Sequence, residues 1–254
     1  MSGFEVAVAT RNSKTLYLVV DLLKRLDINF VLCTPDDREC ETAKVVVTTA
    51  NESKNLTAQG LVVVEDVFKP DIIAIQIMLR LLGIQEPSMV VVGVDPGMQI
   101  GLALVVNGNT VYTKTAQNPS SAANDTLQWI DLFKDYLPNT VLLRVGSGSR
   151  LYSALYLRGI QSAFSYSRVE LVDERHTTKV GESDQSSALL IASRKGRLVT
   201  DDDLVLQVKD GYVKSLKHLF SRITDGRIAL SKTEAKSILL DERSIESILD
   251  GLDH

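Results

Sequence analysis

Sulfur is scarce in this chain. Among 254 residues only Cys33 and Cys40 are cysteines. Their spacing matches neither a redox pair nor a zinc site, and the chain holds no further sulfur ligands, so a reducing cytoplasm is the expected location. Long apolar runs are also missing. None approaches the length of about 20 residues that a membrane helix needs, so no membrane partner is expected. The opening "MSGFEVAVATRNSK" has no basic region followed by an apolar core, which argues against a secretory signal. Internal repeats and low-complexity stretches are absent. An excess of positive charge is absent too: 28 basic residues face 32 acidic ones, and the net charge of −4 argues against a generic nucleic-acid coat.

What is present is an ordinary globular composition, 44% hydrophobic and 24% charged, on a length that fits one large or two small domains. The charge is unevenly placed. Residues 141–200 carry nine basic side chains against five acidic ones, on an otherwise acidic background. This segment includes Arg150, Arg175, Lys179, Arg194 and Lys195. It reads as a solvated surface or as a footprint for a phosphate backbone.

Periodicity divides the chain into three parts. Residues 1–84 alternate Val-rich strand patterns with amphipathic helices, as in a small Rossmann-like α/β domain with a partly parallel sheet. Its "ATRNSKT" turn leads from strand to helix, where anions can bind, but it lacks the glycines and lysine of a phosphate loop. "GIQEPS", Gly83 to Ser88, reads as a linker. Residues 89–200 then open with three strands joined by tight turns, the second at Asn107-Gly108, which favours a hairpin. Strands alternate with helices after that, in the order β-β-β-α-β-α-β-α. The first of these helices carries an expected stripe of Leu127, Ile130, Phe133 and Leu137. Residues 201–254 form an acidic helical tail, with a capping-box spacing at Ser231 to Glu234.

One stretch poses a chemical question. In "MVVVGVDPGMQIGLALVV" a single carboxylate, Asp95, ends an oily strand. An unpaired buried carboxylate is costly. Glu174 follows the last strand, and Asp184 opens the last helix. A sheet that brings these strand ends together would gather Asp95, Glu174 and Asp184. Three close carboxylates cannot all stay ionised without a cation, and hard oxygen ligands suit Mg2+ or Mn2+. Taken singly, each acid also fits a plainer role in a turn, a surface ion pair or a helix first turn.

"VVGVDPG", "IGLALV", "LVDERHTT" and "SDQSSALLIA" together resemble the RuvC-like branch of the ribonuclease H-like superfamily, most of all the YqgF group of predicted Holliday-junction resolvases. The resemblance covers about residues 89–197. It implies a mixed five-stranded sheet with helices on both faces. It also implies a metal site for Mg2+ or Mn2+ made of Asp95, Glu174 and Asp184, which would be catalytic. Where those nucleases carry a fourth-strand Glu, this chain reads "TVLLRVGSGS".

The function that the resemblance implies is a metal-dependent nuclease, a junction resolvase or an RNA-processing phosphodiesterase. The alternative is a catalytically inactive nucleic-acid-binding or assembly protein of the same fold, which the missing fourth-strand acid favours. The expected partner is branched or folded DNA or RNA. Arg150, Arg175 and Lys179 are the candidate phosphate contacts, and "GSGSR" is a candidate backbone nest for an anion. A homodimer is the expectation for a junction substrate, because a junction has two-fold symmetry.

Overall fold

A computed structural model describes residues 5–37, 40, 42–58, 60–136, 141–174 and 183–250. The chain separates into two compact units, Met1–Glu86 and Pro87–His254.

In the first unit, β1 (Val6–Ala9), β2 (Phe30–Cys33), β3 (Val45–Thr49) and β4 (Leu61–Val64) form one sheet in the order β2-β1-β3-β4. Every pairing is parallel, so the sheet is wholly rather than partly parallel. The Val-rich strands are buried as continuous apolar runs, as parallel strands require. Helix α1 (Ser13–Arg25) follows β1 and starts at Asn12, whose side chain accepts the Thr15 N–H. Helix α2 (Pro70–Leu81) follows β4, with Pro70 in its first turn. Because β2 and β3 lie on opposite sides of β1, the carboxyl ends of β1 and β3 flank the point where the strand order reverses. Cys33 and Cys40, whose spacing marks no redox pair, are joined in a disulfide with a Cα separation of 6.1 Å.

The second unit is built on β5 (Val90–Pro96), β6 (Ile100–Val106), β7 (Asn109–Ala116), β8 (Val141–Gly146), β9 (Arg168–Val172) and β10 (Arg197–Leu198). Their order is β10-β9-β8-β5-β6-β7. Strands β5, β6 and β7 form an antiparallel meander, with Asn107 and Gly108 both at positive φ in the hairpin turn. Strand β8 pairs parallel to β5, and β9 parallel to β8. The expected five strands become six. The extra strand has two residues and lies antiparallel to β9, too short to leave any periodicity in the sequence.

Helices cover both faces of this mixed sheet. Strand β7 shows this directly. Tyr112 meets the Trp129 ring edge-on and Lys114 pairs with Asp125 at 2.8 Å, both on α3 (Pro119–Asp131). Between them Thr113 donates to Gln185 at 3.1 Å, on α5 (Asp184–Ser193). Alternate residues of a strand face opposite sides, so α3 and α5 lie on opposite faces. Helix α4 (Arg150–Gly159) packs beside α3. Helix α5 lies close on β5 and β6, because Gly93 and Gly101 leave room there. A Cβ on Gly93 would overlap Ala188 O, and one on Gly101 would overlap Asp184 O.

Helix α3 ends at Asp131, earlier than its sequence pattern suggests, and its buried stripe runs through Ala122, Ala123, Thr126, Trp129 and Ile130. Leu127 is only half-buried, and Leu137 lies outside the described residues. Ile130 and Phe133 of the expected stripe are buried.

The tail helices α6 (Asp201–Leu204), α7 (Asp210–Ile223), α8 (Lys232–Leu239) and α9 (Ile245–Asp250) belong to the same compact unit. Arg158 ties them to α4 by donating to Leu204 O, Ile238 O and Leu239 O at 2.8, 2.9 and 3.1 Å. Ser231 and Glu234 form the capping box at the start of α8. Among the described residues, no helix is long and apolar enough to cross a membrane.

Candidate functional site

Asp95 occupies the next-to-last position of β5, opposite Gly101 of β6. Strand alternation puts it on the face of Gly93, beneath α5. Helix α5 begins at Asp184, after an N-cap in which the Ser183 hydroxyl accepts the Ser186 N–H at 3.2 Å. Because Gly101 lets the backbone of Asp184 descend onto β6, the first turn of α5 comes down over the end of β5. One turn later, the Ser187 hydroxyl hydrogen-bonds Asp95.

Glu174 arrives from the neighbouring side, just beyond β9. Its Oε1 accepts the Gly148 N–H at 2.8 Å. A side chain on Gly146 or on Gly148 would collide with the Glu174 carboxyl. The "GSGSR" turn thus gives one backbone N–H, that of Gly148, to the chain's own Glu174.

The electrostatics of Asp95 record this convergence. Burial, then the negative charges of Glu174 and Asp184, push its carboxyl up from 3.8 to about 6, against the lowering effect of Ser187. The structure thus brings Asp95, Glu174 and Asp184 within electrostatic reach of one another. All three are hard oxygen ligands of the kind that suits Mg2+ or Mn2+, and a divalent cation would relieve the repulsion that raises Asp95. Among the described residues, no three His, Cys, Asp or Glu side chains stand close enough as they are to hold a metal ion.

The candidate phosphate contacts fare differently. Arg150 lies at the start of α4, and its partly exposed guanidinium is engaged within the chain. It donates to Asp203 at 3.2 Å, to Val205 O at 3.0 Å and to Asp202 O. The structure does not bring it to the three carboxylates. Arg175 and Lys179 lie outside the described residues, as do His176, Thr177 and Thr178.

Two other acids of this unit are fully occupied, and the sequence did not mark them. Glu170 on β9 is buried, takes the Gly196 N–H at 3.2 Å, and is bonded by Arg144 at 3.2 Å and Arg168 at 2.8 Å. Burial pushes its carboxyl up, but these donors more than offset that, and its net shift is downward. Arg144, in the strand that lacks an acid, thus serves Glu170 and donates to Ala192 O at 2.5 Å. Asp203 is clasped by both terminal nitrogens of Arg197 at 2.6 Å and by the Thr200 N–H at 2.9 Å, which hold its carboxyl far below the usual range. Gly101 was likewise missed as a builder of the site, whereas Gly146 and Gly148 belong to the "GSGSR" turn singled out in the sequence. Their clustering at strand ends was the available signal. In the first unit the "ATRNSKT" turn is filled in a similar way. Glu52 accepts from Thr10 Oγ1 at 2.5 Å, Thr49 Oγ1 at 2.6 Å and the Arg11 N–H at 2.8 Å.

No protein-family model matches the chain. No curated protein matches it. Among solved structures, an Argonaute from Marinitoga piezophila in complex with 5′ OH guide RNA and target DNA aligns with 11% identity, over 86% of this chain and 49% of that one, at a TM-score of 0.26. The match spans about half that Argonaute's length, and at this score it carries no argument about fold or function.

Proposed function

We propose that residues 87–254 are a metal-dependent nuclease of ribonuclease H-like build, of the RuvC-like and YqgF-like kind, acting on branched or folded nucleic acid. The observation that carries this reading is that Asp95, near the carboxyl end of central strand β5, lies within electrostatic reach of Glu174 and Asp184 and is raised to about 6 by burial and by their charges. The strand order supports it: an antiparallel meander, then two parallel strands on the other side of β5. That is the arrangement the resemblance implies.

In this reading Asp95, Glu174 and Asp184 hold Mg2+ or Mn2+. When bound, the cation would polarise a phosphodiester and lower the proton affinity of a water. The chain's own residues supply the frame. Ser187 orients Asp95 from α5. The Gly148 N–H fixes one oxygen of Glu174. Gly101 sets how far Asp184 descends.

A second reading is a nucleic-acid-binding or assembly protein that does not cleave. It is favoured by the spacing of the three acids, which as they stand do not make a cage among the described residues. The experiment is an incubation of the full chain with a four-way DNA junction and with a structured RNA, each with Mn2+ and with EDTA. Metal-dependent cleavage of either substrate supports the nuclease. Tight binding without cleavage selects the second reading.

A further inference from the structure

On the other side of the "GSGSR" turn lies a cleft of about 420 Å³ lined by Ser147, Leu171, Asp173, Lys195, Gly196 and Arg197. We propose that this cleft seats a phosphodiester of a nucleic-acid backbone, held by the Lys195 ammonium and the Ser147 hydroxyl, beside the unit bound at the carboxylates. This inference rests on the nucleic-acid reading above and deepens it.

The turn joins the two places. Ser147 stands between Gly146 and Gly148, the two glycines against which Glu174 lies. Its N–H is spent on Val172 O at 2.9 Å, which locks the turn onto the end of β9. Strand alternation separates the sides. Glu170 and Val172 face α5, whereas Leu171 and Arg197, its partner on β10, face the other way, and both line the cleft. A nucleic-acid strand passing the carboxyl end of β9 would meet Glu174 and the cleft in succession around this turn.

The charges in the cleft assign the roles. Arg197 lends its terminal nitrogens to Asp203, so it acts as a buttress. Asp173 adds a negative charge at the rim and partly opposes an anion. Lys195 is exposed. No ion pair or hydrogen bond engages its ammonium among the described residues, so its charge is available to a phosphate. It follows α5 directly, two residues beyond Ser193, and is placed by the Gly196 N–H bond to Glu170. A point charge beside a hydroxyl matches a phosphate oxygen and reads no base, so the contact should add affinity without sequence preference.

The test is fluorescence anisotropy of the full chain with labelled junction DNA and labelled structured RNA, without divalent metal, across a salt series. Lys195→Ala should weaken binding of unrelated sequences by a similar factor and reduce the steepness of log K against log salt by about one. Ser147→Ala should weaken binding less and leave the slope alone. Lys217→Ala, an exposed lysine on α7 away from the cleft, should change neither. Inorganic phosphate at low millimolar concentration should not displace the nucleic acid. If the wild type binds and Lys195→Ala keeps both affinity and slope, the cleft proposal is overturned while the nucleic-acid reading stands. If the wild type binds neither substrate, both fall. If inorganic phosphate displaces the probe and protects Lys195 from acetylation, the cleft is a seat for free phosphate instead.

Discussion

Two acids sit at or just past the carboxyl ends of sheet strands in the two units, and their surroundings push them in opposite directions. In the first unit, Glu52 is met by two threonine hydroxyls and a backbone N–H. Burial raises its carboxyl, but these donors outweigh it, and the net shift is downward. In the second unit, Asp95 has Ser187 as a donor and two further carboxylates as neighbours, and it rises to about 6. An acid whose donors are complete is part of the architecture. An acid crowded by like charge is a candidate functional group. Glu170 and Asp203, also with their donors complete, stand with Glu52 on the architectural side of the comparison.

The largest effect that would break this comparison is on cleavage. Asp95→Asn keeps shape and removes charge. Metal catalysis contributes several kcal/mol of charge stabilisation, so cleavage should fall by about 10³-fold with the fold intact. Single-turnover rates and circular dichroism on the same samples check this. Undiminished cleavage would move Asp95 to the architectural group.

Next comes Asp203. Asp203→Ala strands Arg197, Arg150 and the Thr200 N–H, and should cost about 2–4 kcal/mol by urea melting, the partly exposed arginines keeping it below the full value for a buried pair. Its folded carboxyl is depressed, so its contribution is present above pH ~4 and lost as pH falls below that. The variant should therefore show a flatter acid limb than the wild type.

A smaller effect is expected at Glu52. Glu52→Gln should destabilise the first unit by about 1 kcal/mol, because a neutral amide accepts the same donors more weakly. It should leave any response to Mn2+ unchanged. A changed response would link the first unit to the metal site.

The smallest effect has the opposite sign. The folded carboxyl of Asp95 lies above its ordinary 3.8, so its favourable contribution is full at low pH and is lost as pH rises through about 6. At neutral pH without metal, the charge works against folding by about 1 kcal/mol after allowing for its partial exposure. Asp95→Asn should then melt roughly 2–4 °C higher than the wild type at pH 7.5, and the gap should close near pH 4.

Much of this architecture was legible because it is local. The Asn107-Gly108 turn and the Ser231 capping box each act over a few residues, and sequence spacing displays them directly. The three carboxylates were legible only through a pattern of strand ends and a family resemblance. Long-range pairings left no such trace. Nothing near Glu52 in sequence names Thr10, 42 positions away, and nothing near Gly146 names Glu174. The disulfide escaped for a different reason: a separation of 7 fits no short motif, and the loop brings the two Cα atoms together. Nothing near Arg150 in sequence names Asp203, which lies 53 residues further on.

The most direct measurement is the melting temperature of the wild type and of Asp95→Asn across a Mn2+ titration at pH 7.5. If Asp95, Glu174 and Asp184 hold a cation, the wild type should gain about 2.7 kcal/mol at a hundredfold excess over its dissociation constant, roughly 5–10 °C, and the variant should gain little. A wild type that Mn2+ leaves unmoved, or a variant stabilised as much as the wild type, would contradict the account.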